Sequence, residues 1–111
     1  MGTILSLDVH LTDAEGQAVF SANITHNMGA MAREAGIYEC LWRPDEHGIT
    51  KAVQIIEPLA AGVVRLATEK ARFDVFNPSN GWGSWEVFLP WCAEYLQACR
   101  DNQDADVRVS R

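Results

Sequence analysis

Three short stretches of the chain carry residue types that bind or transform small molecules. The first is Asn23-Ile24-Thr25-His26-Asn27. Its polar residues stand where a strand pattern gives way to a helix pattern. Helix N-termini attract anions through free N–H groups and the macrodipole. His26 could therefore hold a phosphate or serve as a general base, oriented by Asn23 or Asn27. The plainer reading is capping plus one surface histidine. The second stretch, Trp42-Arg43-Pro44-Asp45-Glu46-His47, joins an aromatic ring, a guanidinium, a carboxylate and an imidazole. Arg43 stacked on Trp42 or paired with Glu46 would be a structural latch. The alternative is recognition of a planar or anionic ligand. The third, Asn77-Pro78-Ser79-Asn80-Gly81-Trp82-Gly83-Ser84-Trp85, sets two tryptophans among two glycines. Glycine permits close approach and positive φ, while tryptophan is costly to leave in water. Trp82 is then either a plug of the core or a wall of a pocket. The candidate ligand-binding set is Asn23, His26, Asn27, Trp42, Arg43, Glu46, Asn80 and Trp82.

Other chemistries find less support. His10, His26 and His47 do not stand at metal-ligand spacing, so no metal site is expected. No phosphate-binding loop, dinucleotide fingerprint or nucleophile elbow occurs, so no cofactor and no catalytic residue is assigned. Gly81-Trp82-Gly83 lacks the preceding strand that a dinucleotide site needs. Ser84 has no base in predictable reach. A hydrolase or transferase therefore ranks behind a binding role.

A net charge of −6, with nine basic residues scattered singly, argues against a nucleic-acid partner. With 111 residues, 48% hydrophobic and 22% charged, the chain fits one globular domain spanning residues 1–111. Cys40, Cys92 and Cys99 are odd in number and form no close pair. Cys92 and Cys99 would share a helix face about 10 Å apart, beyond disulfide reach. They are expected as buried thiols in a reducing compartment. The start runs straight into alternation without the basic region of a signal peptide. No apolar run is long enough to span a bilayer. A cytoplasmic location and no membrane partner are expected.

The elements that must position these motifs follow from periodicity. Leu5, Leu7, Val9 and Leu11 alternate with polar residues, as do Phe20, Ala22 and Ile24. Around the turn at Asp13–Gln17 they predict an antiparallel hairpin. Met28, Met31, Ala32 and Ala35 have helical spacing, with Thr25 or Asn27 as N-cap and Gly36 as the C-terminal stop. Residues 37–42 read as a short strand or a buried link, and 43–48 as a loop. Thr50 is the expected cap of a second helix reaching residues 71–73, with Val53, Ile56, Leu59 or Ala60, Val63 and Leu66 or Ala67 inward. Pro58 predicts a kink in it. Ser84 caps a third helix with Trp85, Phe88, Leu89, Cys92, Leu96 and Cys99 inward, and Pro90 predicts a bend or late start. Trp82, Trp91 and Tyr95 are left as an exposed aromatic patch. Val107 and Val109 suggest a third strand beside the hairpin.

Four segments also resemble a family of small proteins found in phages, prophages and other mobile elements. They are Asn-Ile-Thr-His-Asn (23–27), Leu-Trp-Arg-Pro-x-Glu (41–46), Asn-Pro-x-Asn-Gly-Trp-Gly (77–83) and Val-Ser-Arg (109–111). The likeness covers most of the chain from Asn23 onward and brings no catalytic role. It implies a protein that disarms a host defence, by sequestering a signal nucleotide or blocking a host enzyme.

The expected fold is α+β, a three-stranded antiparallel sheet of the hairpin and the C-terminal strand against three helices. The expected function is non-enzymatic binding of a small molecule such as a nucleotide. The competing readings are an inhibitor of a host protein and an unrecognised hydrolase. A homo-oligomer, most often a dimer, is expected of a small domain with surplus aromatics.

Overall fold

The computed structural model describes residues 6–79, 81 and 83–111. Strands β1 (Ser6–Thr12), β2 (Ala18–Thr25) and β3 (Asp106–Ser110) form one antiparallel sheet in the order β2-β1-β3. The predicted α+β architecture is therefore the one found. Asp13 fixes the hairpin by accepting from the backbone N–H groups of Glu15 and Gln17, while Gly16 takes φ 80°. Strand β3 lies on the other side of β1, with Val109 opposite Val9 and Arg108 opposite His10.

Between β2 and β3 run five α-helices: α1 (Gly29–Ala35), α2 (Tyr38–Trp42), α3 (Val53–Thr68), α4 (Lys70–Asp74) and α5 (Trp85–Asp101). Single 3-10 turns, His26–Met28 and Pro44–His47, precede α1 and follow α2. Two of these elements correct the sequence reading. Residues 38–42 are helical rather than a strand or link, and the expected loop at 43–48 contains a 3-10 turn. The predicted second helix breaks at Glu69, which separates α3 from α4. Both helices α3 and α5 continue through their internal prolines, and α5 starts at Trp85 without delay.

Three predicted caps hold at the level of position, and the chemistry differs at two helix starts. The Thr25 hydroxyl accepts from Asn27 N–H at 3.3 Å, and Gly36 closes α1 with φ 79°. Ser84 stands at the N-cap of α5 but makes no side-chain cap bond; Asn77 Oδ1 accepts from Trp85 N–H at 2.8 Å instead. Thr50 does not cap α3. Gln54 reaches back, its Oε1 accepting from the N–H groups of Thr50 and Lys51.

One face of the sheet is buried. Leu7, Val9 and Leu11 join Met28, Met31, Ile37, Leu41, Ile55, Leu59, Leu66, Phe73 and Phe88 in a single apolar cluster. The opposite face stays polar, with His10 Nδ1 2.9 Å from Ser21 Oγ and Asn23 Nδ2 donating to Ser6 and Asp8. The inward stripe of α3 is Ile55, Leu59, Gly62 and Leu66, one position out of phase with much of the expected set. Val53 and Ala67 face solvent. The cause is Gly62, which packs against Ile37 so closely that a Cβ would overlap that side chain.

Tyr95 is wholly buried, not exposed, and stacks on Phe20 with ring centres 5.9 Å apart. Trp91 is half-buried against Phe88 and Tyr95, and its indole N–H donates to the Asn23 carbonyl at 2.9 Å. The expected patch is thus largely packed away, with Trp82 outside the described residues. Trp85 is half-buried, its N–H donating to the Leu66 carbonyl. All three cysteines are buried and free. Burial pushes the Cys40 and Cys99 thiols up to about 12.

The Tyr95 hydroxyl has no hydrogen-bond partner among the described residues. A buried hydroxyl without a partner keeps its desolvation cost and gains nothing in return. Tyr95→Phe should therefore raise stability by about 1 kcal/mol, or about 4 °C in a thermal melt. A lower melting temperature would show that the hydroxyl is satisfied.

Candidate anion-binding cleft

The first two motifs meet at the end of the sheet where β2 and β3 stop and β1 begins. Thr25 ends β2 and delivers His26 into the 3-10 turn. Ser110 ends β3 opposite Asp8 and delivers Arg111 to the same end. Helices α1 and α2, joined at Gly36, supply Arg33, Tyr38 and Trp42, and Arg43 follows at once. These residues and Gly29 line a cleft of about 460 Å³.

Its floor is a ladder of flat groups. The Arg33 guanidinium lies 4.0 Å from the Tyr38 ring centre. Tyr38 in turn stacks on Trp42, with centres 5.4 Å apart and planes 8° from parallel. Trp42 is 3% exposed, and its indole N–H donates to His26 Nδ1 at 2.9 Å. An indole nitrogen only donates, so His26 Nδ1 carries no proton in this arrangement and the neutral ring holds its proton on Nε2.

The walls are cationic. Among the described residues no carboxylate lines the cleft, although the chain as a whole carries −6. Two acids stand just outside on the Pro44–His47 turn. Arg111 Nη1 and Nη2 grip Asp45 Oδ1 and Oδ2 at 2.9 and 3.2 Å, a fork-to-fork pair. Glu46 Oε2 is shared, 3.0 Å from Arg43 Nη1 and 3.3 Å from Arg111 Nη2. The Arg111 guanidinium holds the Asp45 carboxyl below the ordinary carboxylate range. The Tyr38 hydroxyl and Glu46 both favour the charged form of Arg43. Arg33 has no carboxylate partner among the described residues.

Of the candidates from sequence, His26, Trp42 and Arg43 converge here, with Glu46 at the rim. Asn23 does not: its side chain lies on the polar face of the sheet with Ser6 and Asp8. Asn27 sits beside His26 in the 3-10 turn without lining the cleft. Asn80 and Trp82 lie outside the described residues. The end of their loop does reach the junction, because Gly83, at φ 95°, sits where a Cβ would press on Met28 and Thr25 at 3.0 Å. Arg33, Tyr38 and Arg111 were not among the candidates. Arg33 looks like any exposed helix residue, and only the β1–β3 register brings Arg111 to Asp45.

A second depression of about 340 Å³ has the opposite character, with Asp13, Asp101, Asp104 and a Lys51–Asp106 pair around it. Among the described residues, no group of three or more His, Cys, Asp or Glu is arranged to hold a metal ion. No helix among them is long and apolar enough to cross a membrane.

Fold and cleft together define a class: a small α+β domain with an arginine-walled cleft at the end of an antiparallel sheet. No protein-family model, curated protein or solved structure matches the chain.

Proposed function

We propose that this protein binds a small anionic molecule, such as a nucleotide held through its phosphates, and does no chemistry on it. One observation carries the reading: three of nine basic residues face one cleft of an acidic protein, and among the described residues no acid lines it. Guanidinium groups are planar, permanently charged and suited to two-point contact with phosphate or carboxylate. Among the described residues the lining offers no thiol, carboxylate or serine to act as a nucleophile. The resemblance to mobile-element proteins adds a context, in which the protein captures a host signal nucleotide in the cytoplasm and so blunts a defence.

Isothermal titration with inorganic pyrophosphate and with ATP at low ionic strength tests the proposal. The folded protein should bind at least one of them, and binding should weaken steeply as salt is added. Arg33→Ala should lower affinity roughly tenfold, and Arg33→Lys should recover only part of it. No heat with either anion would remove the reading.

A second reading rests on α5. Val87, 51% exposed, forms with Pro90 and Trp91 a shallow apolar depression edged by Glu86 and Glu94. A host protein, or a second copy in a homo-oligomer, would cover it. Dimers detected by light scattering would favour the second copy.

A further inference from the structure

Building on the anion-binding reading, we propose that the cleft selects doubly charged phosphate groups. Asp45 and Glu46 set that selectivity by occupying Arg111 and Arg43 until such a group displaces them. Three features lead there. The Tyr38 ring already carries the Arg33 guanidinium and the stacked Trp42 ring, and Trp42 itself is buried. Tyr38 and Trp42 are thus already engaged, and charge does the recognising. The two acids present carboxylate oxygens to Arg111 in the fork that a phosphate would use. Their side chains are 61% and 52% exposed, so these pairs stabilise the fold weakly and can be released.

The competition is uneven by design of the chain. The carboxylates are tethered two and three residues from Arg43 on a turn bounded by Pro44 and Gly48, which gives them a high effective concentration. A free monoanion brings no more charge than the carboxylate it must displace, and it loses. A phosphate dianion brings twice the charge and a further oxygen for Arg33, the guanidinium that pairs with no carboxylate among the described residues. Asp45 and Glu46 are thus positioning residues, acting on the ligand through the arginines.

The test compares the wild type with Asp45→Asn/Glu46→Gln, titrated with inorganic pyrophosphate and with acetate at low ionic strength. The wild type should bind pyrophosphate and ignore acetate. The double variant should bind pyrophosphate about three- to tenfold more tightly, the scale set by exposed ion pairs, and should begin to bind acetate. Asp45→Asn alone, which leaves Arg111 only its longer contact with Glu46, should show part of the gain and decides the matter if the double variant does not fold. Unchanged or weaker pyrophosphate binding by a folded variant overturns the displacement mechanism while leaving the cleft an anion site. Failure of every form to bind pyrophosphate removes both.

Discussion

Trp42→Ala should cost about 3–5 kcal/mol of stability, the usual penalty for truncating a buried aromatic, and should also abolish anion binding. Trp42 is 3% exposed, stacks on Tyr38 and donates to His26, so it belongs to the core and the cleft floor at once. Without it, Tyr38 loses the surface that holds it flat beneath Arg33, and His26 Nδ1 loses its donor. Trp42→Phe separates the two roles. It keeps a stacking ring and removes only the N–H, so it should cost about 1 kcal/mol for the lost hydrogen bond plus the volume difference. Pyrophosphate should still bind. Denaturant titrations of the two variants give the comparison, and a Trp42→Ala protein as stable as the wild type would contradict the packing.

Gly62→Ala is the second large effect, and its sign is the informative part. Inside a helix, exchanging glycine for alanine normally stabilises by about 1 kcal/mol. Here it should destabilise by about 1–3 kcal/mol, because the new methyl group would overlap Ile37 Cγ2 and crowd the Ala35 carbonyl at 3.3 Å. Gly62→Leu should leave the chain unable to pack α3 against the link between α1 and α2. The cause is local, so relief should be local. Ile37→Ala combined with Gly62→Ala should lose less stability than the two single changes summed, and a double-mutant cycle measures the difference. A more stable Gly62→Ala protein would show that the two segments stand further apart.

Gly62 also marks where sequence reasoning stopped. The α3 stripe was counted from apolar side chains, and a glycine adds nothing to such a count, so the inward face came out rotated. The strands were legible because Leu7, Val9 and Leu11 alternate and only one face of a three-stranded sheet is covered. Tyr95 falls outside the apolar stripe counted for the third helix, whereas its ring fills the space beside Phe20. The cleft was half legible. His26, Trp42 and Arg43 advertise chemistry by type, and their meeting follows from a short connection between β2 and α2. Arg33, Tyr38 and Arg111 carry no such signal. Their convergence depends on a left-handed turn at Gly36 and on the pairing of two strands about a hundred residues apart.

That last dependence ties the cleft to the closing of the chain. Arg33 and Arg43 belong to a run of short helices that pack on one another, while Arg111 arrives only when β3 zips onto β1 through five residue pairs. This strand sets a third guanidinium at a cleft that holds two others, and like charges gathered there repel. Asp45 and Glu46 answer that repulsion from within. The cleft thus concentrates positive charge on an acidic protein. On the proposed reading, an anion held by Arg33, Arg43 and Arg111 would tie β3 to the helical segment that carries the other two arginines.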